Sequence, residues 1–456
     1  MRERGASWAK AGVPPAGLLE KGLPPLRPLR LSSGMRVTRR AFLTSTAGVG
    51  ALSLVNPALG APNRVSDKEL VEAASKPVFS PKNLKEPIII ESIELLRKGK
   101  EHFVRVRSKD GAEGISVDDG RMEVLHPILN QLVIPYFIGK DARELEEHLF
   151  QVYRHQSNYK LQGLALWCPV ALVEFALLDM MGRISNQSLA EMFGGVKRTS
   201  IPFYVASGRR DTTPEQEIDY LRGLIEQTGA KAIKYRLGGR MSRNEDATPG
   251  RTDKLIPLTR KAFGEKMVIH ADANSSYDPP EAIRVGKLLQ EIKAVHYEEP
   301  CPFDNFDATK KVKDALTIPI ALGEQESSHW RFQAMIRDHV ADIVQPDLYY
   351  YGGLVRSLRV ARMAALCNQV TSPHLSGGFG FVYLLHFAAC APSLGPWQEY
   401  KKGVEKYGDW FNPPLRTVNG ELNVPKGPGV GIVEPKEILK GATVVKGGGA
   451  AKVGGD

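Results

Sequence analysis

Five side chains able to bind a cation or move a proton recur at nearly constant spacing. Asp272, Glu298, Glu324, Asp347 and His374 are separated by 26, 26, 23 and 27 residues, each at the end of a short apolar run, and Lys234 lies 38 residues before the first. One such carboxylate alone would read as the cap of a following helix. Three in succession at one-unit spacing read differently, because the C-terminal ends of all strands in a parallel βα barrel open onto one mouth. Carboxylates converging there cannot all stay ionised without a cation, since like charges raise one another's pKa. A hard divalent ion resolves the conflict, and an all-oxygen donor set favours Mg2+ over zinc. No His-x-x-x-His or Cys-x-x-Cys zinc pattern is present. The matching chemistry is abstraction of a proton next to a carboxylate: a cation with a nearby lysine stabilises the enediolate. His374 can take the proton near neutral pH, and Asp347 can orient its ring. His270 and His296, each two residues before an acid, point to the same side of their strands and suit supporting polar roles.

These residues need a scaffold, and the chain supplies one. From residue 201 onward, short β-rich runs (201–205, 232–236, 267–272, 294–298, 318–324, 341–347 and 369–374) alternate with stretches long enough for three helical turns, such as 280–291 and 354–366. Such repetition specifies an α/β fold with its parallel sheet closed into a barrel. Ahead of it, the runs at 88–93, 101–106 and 114–117 suggest a small antiparallel meander, followed by a helical pattern from Val124 to about Phe193. The expected division is therefore a leader over 1–61, a linker over 62–86, an α+β domain over 87–200, a barrel over 201–400, a C-terminal segment over 401–433 and a disordered tail over 434–456.

Charge supports this division. The formal net charge is +10, but residues 1–60 hold nine basic and two acidic residues, leaving 52 basic and 49 acidic residues in the rest. A body so nearly balanced has no electrostatic case for gripping a polyanion, so nucleic acid is not expected as a partner. Within the leader, Thr38-Arg39-Arg40-Ala41-Phe42-Leu43 starts an uncharged stretch to Val55, followed by small residues at Ala58–Ala61. This order resembles a twin-arginine export signal, which implies a periplasmic or otherwise exported protein, and a cytoplasmic one if the signal is unused. Some 15 apolar residues fall short of the roughly 20 that span a bilayer, so no stable membrane anchor is expected. The four cysteines, Cys168, Cys301, Cys367 and Cys390, are irregularly spaced and read as buried free thiols.

Over about residues 88–430 the chain strongly resembles the mandelate racemase and muconate lactonizing enzyme group of the enolase superfamily. The motifs are Pro169–Asp179 followed by Leu189–Gly195, Asp272-Ala-Asn, Glu298-Glu-Pro, Gly-Glu324, Gln-Pro-Asp347, Ser-Pro-His374 and Trp-Gln-Glu399. The resemblance implies a modified TIM barrel, (β/α)7β, with the α+β domain as its cap and with Mg2+ held by Asp272, Glu298 and Glu324. It implies Asp347 and His374 as the paired base, Glu399 as a hydrogen-bonding acid, and a symmetric homo-oligomer. It also implies that cap loops near 98–101 and 118–121 meet the distal hydroxyls of the substrate. Lys234 and Arg236 occupy the family's Lys-x-Lys position, and here the chain departs from the pattern. A racemase needs a base on each face of the α-carbon, and arginine gives up its proton too reluctantly for that. One base suffices to eliminate a β-hydroxyl, so the expected activity is dehydration of a sugar acid, a small molecule, to its 2-keto-3-deoxy product. Alternatives are a racemase or epimerase with another second base, and a non-catalytic sugar-acid binder.

Overall fold

Strand-forming runs and capped amphipathic helices alternate along the chain, and the computed structural model describes residues 63–375 and 377–446. The expected leader and signal, and residues 447–456 of the expected tail, lie outside these. Helix α1 (Asp67–Ser75) comes first, then an antiparallel meander of β1 (Ile90–Lys98), β2 (Glu101–Ser108) and β3 (Glu113–Val117). Five helices follow: α2 (Met122–Ile128), α3 (Ile134–Phe137), α4 (Leu145–Arg154), α5 (Leu164–Ser185) and α6 (Leu189–Met192). Among the described residues α5 alone is long and apolar enough to cross a membrane, yet it is buried along most of its length as the core of the cap.

Two buried acids on α5 join the cap to the rest. Asp179 accepts backbone N–H bonds from Ile115 in β3 and from Val430 near the C-terminus, both at 2.9 Å, and pairs with Arg183. Glu174 accepts the Val355 N–H at 3.0 Å and so occupies the electropositive end of a barrel helix. Gly353 precedes that helix with φ 104, and a Cβ there would strike the Glu174 carboxylate. Burial pushes the Glu174 carboxyl up to about 8.

The barrel strands are β4 (Ser200–Ala206), β5 (Ala232–Arg236), β6 (Val268–Asp272), β7 (His296–Glu298), β8 (Ile320–Leu322), β9 (Ile343–Val344), β10 (Val370–Thr371) and β11 (Gln398–Tyr400). All pair in parallel in the order β10-β9-β8-β7-β6-β5-β4-β11, and a parallel bridge from Thr371 to Leu394 draws the ends together. Between them run α7 (Pro214–Thr228), α8 (Arg251–Phe263), α9 (Pro279–Glu291), α10 (Phe306–Ala315), α11 (His329–Arg337), α12 (Leu354–Leu366) and α13 (Gly380–Cys390). Thr213, Asp278, Asn305 and Ser328 cap four of these by accepting an N–H of the first turn. The fold is thus the (β/α)7β barrel with an α+β cap. All four cysteines are free and buried.

Two expected boundaries need correction. The segment read as a linker over 62–86 contains α1, opened by a Ser66–Glu69 capping box. Its Leu70 and Ala74 are buried in a cluster with residues of α11 and α12, while the backbone N–H groups of Val78 and Phe79 both donate to Glu146 Oε1 at 2.8 Å. The tail expected to be disordered over 434–456 is ordered as far as 446. After β12 (Glu421–Asn423), antiparallel to β4, come α14 (Pro435–Leu439) and β13 (Thr443–Val444), which pairs with the edge of β1. That edge would otherwise present unpaired backbone groups to solvent.

Candidate active site

Strand register builds the first half of the site. Arg236, Asp272 and Glu298 are direct neighbours across β5, β6 and β7, and two residues earlier Lys234, His270 and His296 line up in the same way. Glu324 follows β8 after Gly323, whose φ of 127 favours glycine and turns the chain inward. One carboxylate oxygen from each of Asp272, Glu298 and Glu324 lies within 4.8 Å of the others, and all three residues are buried. Glu298 Oε1 has no hydrogen bond, while Asp272 Oδ2 and Glu324 Oε2 meet Arg236 and the His374 ring. A buried acceptor without a donor is rare, and three carboxylates converging on one centre fit a hard divalent cation.

Positive charge is packed tightly against these acids. Lys234, fully buried, places Nζ 2.7 Å from Glu298 Oε2, 3.2 Å from Glu399 Oε1 and 3.7 Å from Asp272 Oδ2. Arg236 is paired with Asp272. Burial alone would drive Lys234 towards neutrality, but Glu298 and Glu399 hold its pKa above the ordinary range. Burial likewise opposes the Glu298 charge, and Lys234 with His296 keeps its pKa well below that of a free carboxyl. The next residue, Glu299, is pushed well above the carboxylate range by burial and then by Glu324 and Glu298. Of the pair, Glu298 is the one whose carboxylate oxygen lies with those of Asp272 and Glu324. His296 Nε2 lies 3.0 Å from Glu298 Oε2, and His270 Nδ1 lies 3.1 Å from the Ile233 carbonyl, where burial lowers both pKa values.

The second half comes from β9, β10 and β11. His374 Nδ1 sits 2.6 Å from Asp347 Oδ2, and Asp347 Oδ1 accepts the N–H groups of Tyr349 and Tyr350 at 2.8 and 2.9 Å. With an acceptor on Nδ1, the neutral ring carries its proton there and leaves Nε2 as the base. Nε2 lies 3.3 Å from Glu324 Oε2 and 3.8 Å from Glu399 Oε2. Glu399 accepts the Leu375 N–H at 3.2 Å. Burial would raise its pKa, but Lys234, Lys401 and His374 hold it far below the ordinary value.

All eight residues expected at the site are therefore at one mouth. Sequence reasoning missed Lys401, whose Nζ is 3.1 Å from His374 Nε2, and Asn274, whose N–H donates to Asp272 Oδ1 at 2.8 Å while its amide faces Glu324 at 3.4 Å. Lys401 directly follows a barrel strand, so the strand-end rule that located the acids applied to it as well. Of the two cap loops, 118–121 approaches the mouth. Arg121 bonds the Tyr350 hydroxyl and stacks on its ring at 4.8 Å, while burial and then the charges of Asp118 and Asp347 push the Asp119 carboxyl up to about 8. The 98–101 turn is tied instead to the C-terminal segment, through Lys98 to the Ile438 carbonyl and Glu101 to Lys406 and Tyr407.

A capped (β/α)7β barrel whose consecutive strands end in three converging acids, with a histidine–aspartate pair opposite, defines an enzyme of the enolase type. Residues 77–194 match the mandelate racemase / muconate lactonizing enzyme N-terminal domain, and residues 217–437 match the enolase C-terminal domain-like family. The chain belongs to the mandelate racemase / muconate lactonizing enzyme group of the enolase superfamily. It is 28% identical over 334 residues to the arabinonate dehydratase of Saccharolobus solfataricus, covering 72% of this chain and 86% of that one. Against the D-mannonate dehydratase of Novosphingobium aromaticivorans it is 27% identical over 362 residues, covering 74% and 89%. A solved structure from Roseobacter denitrificans, provisionally assigned as a racemase, shares 32% identity at a TM-score of 0.71, covering 78% and 99%.

Proposed function

We propose that the protein is a magnesium-dependent sugar-acid dehydratase, a hydro-lyase that converts an aldonate or aldarate to its 2-keto-3-deoxy acid. The observation that carries this reading is the one-sided placement of its base. His374, oriented by Asp347, offers Nε2 to the mouth, whereas the cations of β5 are locked into ion pairs with Glu298, Glu399 and Asp272. A locked ammonium and a guanidinium stabilise negative charge but make poor second bases. In this reading Asp272, Glu298 and Glu324 hold Mg2+, which when bound neutralises charge developing on the substrate carboxylate. Lys234 and Arg236 reinforce that neutralisation from beneath, His374 removes the C2 proton, and the C3 hydroxyl departs as water. The dehydratases among the relatives support the same class of substrate. The test is incubation with a panel of aldonic and aldaric acids in the presence of Mg2+, with 2-keto product as readout. Absence of product across the panel overturns the reading. The racemase assignment of the Roseobacter relative motivates a second reading; deuterium entering recovered substrate with inversion and without loss of water would favour it. The leader composition further supports export through a twin-arginine signal. A fusion of residues 1–61 to a reporter active only outside the cytoplasm checks this, and no signal from the fusion excludes it.

A further inference from the structure

Loss of water from a sugar acid needs two proton transfers: one off C2, and one onto the departing C3 oxygen. His374 accounts for the first, and for the second the donors at hand are its own imidazolium and the cations around it. Lys234 is fully buried and shared among Glu298, Glu399 and Asp272, and Arg236 is paired with Asp272. Lys401 differs from both. It follows β11, its side chain is 28% exposed, and its ammonium stands beside the His374 ring. Its ammonium donates to the Leu375 carbonyl and lies 3.1 Å from His374 Nε2 and 3.7 Å from Glu399 Oε1. Because Nδ1 faces Asp347, the Nε2 that Lys401 touches is the lone pair needed for C2. A substrate that displaces this contact frees two partners at once, the lone pair for the C2 proton and an N–H for a hydroxyl beside it.

Resting on the dehydratase reading, we infer that Lys401 is a catalytic residue, the general acid that protonates the leaving β-hydroxyl and is then reloaded by His374. The C2–H bond breaks with its proton going to Nε2. Its electron pair is first held in the enediolate, then becomes the C2–C3 double bond as the C3–O bond breaks, and the oxygen leaves as water with a proton from the Lys401 ammonium. When product and water leave and the contact re-forms, the imidazolium returns the C2 proton to the neutral amine, restoring both groups, and the enol tautomerises to the 2-keto acid. No outside reagent is required.

The test uses Lys401→Met and Lys401→Arg in the full-length enzyme, with whichever acid of the aldonic and aldaric panel the wild type dehydrates. Three rates are read: dehydration, exchange of the C2 hydrogen in deuterated water, and fluoride release from the 3-deoxy-3-fluoro analogue, whose leaving group needs no proton. Both variants should lose about 10^2- to 10^4-fold in dehydration while exchange and fluoride release stay within a few-fold of wild type. Dehydration near the wild-type rate in either variant, or an equal fall in all three rates, overturns the assignment. A wild type that dehydrates no acid of the panel brings down the dehydratase reading and this assignment together.

Discussion

The two halves of the barrel mouth hold their charges differently. On β5 to β8 every cation is locked to an acid, with Lys234 2.7 Å from Glu298 and Arg236 against Asp272. On β9 to β11 the groups form a line from Asp347 through His374 to Lys401, at 2.6 and 3.1 Å, ending in a side chain that solvent can reach. The first half must present fixed charge to a cation and a carboxylate, and burial among counter-ions serves that end. Protons must change hands in the second half, which calls for hydrogen-bonded neighbours of switchable state. The halves meet where Glu324 and Glu399 face His374.

Substitution on each side should separate these roles. Glu298→Gln strikes the fixed half and is expected to have the largest effect: turnover is abolished, the thermal shift on adding Mg2+ disappears, and stability falls by about 3 kcal/mol because Lys234 loses its nearest counter-ion. His374→Gln should cost about 10^4-fold in turnover and abolish C2–H exchange, yet keep both the Mg2+ shift and nearly the wild-type melting temperature. Equal destabilisation by the two variants would break the contrast. Smaller in effect is Asp347→Asn, which keeps the ring's neighbour but removes the charge that stabilises the imidazolium. A fall of about 10^2-fold in kcat, with the Mg2+ shift intact, is expected from pre-steady-state and thermal-shift measurements.

Much of this contrast was legible before any coordinates. Asp272, Glu298 and Glu324 could be brought together on paper because a βα barrel repeats about every 25 residues and opens all its strand ends on one side. The same spacing carried Asp347 and His374 to the mouth, and the fold class followed from the alternation itself. Lys401 escaped because Lys401-Lys402 reads as a solvated charged pair; only the pairing of β11 with β4 and the Thr371–Leu394 bridge that joins the sheet's ends bring it to His374. Helix α1 escaped because its buried face is just Leu70, Ala73 and Ala74, and its docking surface is remote in sequence, as the Asp67–Gln333 bond shows. β13 escaped because two residues completing an open sheet edge leave no periodicity to read.

The remaining prediction extends the contrast to histidines away from the mouth. His386, buried in α13, places Nε2 3.1 Å from the Val430 carbonyl, while its Nδ1 lacks a partner. Burial lowers its pKa to about 4, and His329 is lowered to about 4 by burial and by the nearby charges of Arg356 and Arg359. A histidine in the unfolded chain titrates near about 6.5. Between that pH and about 4 the unfolded chain binds more protons than the folded one, so stability falls as the pH is lowered through this window. His386→Gln keeps an N–H donor for Val430 and cannot become charged. Its melting temperature should therefore match wild type within a few degrees at pH 7.5 and decline less steeply towards pH 4, by up to about 3 kcal/mol in stability at the acid end. Were His386→Gln to keep the full wild-type slope, the assignment of the acid loss to a buried ring that cannot take up a proton would fail.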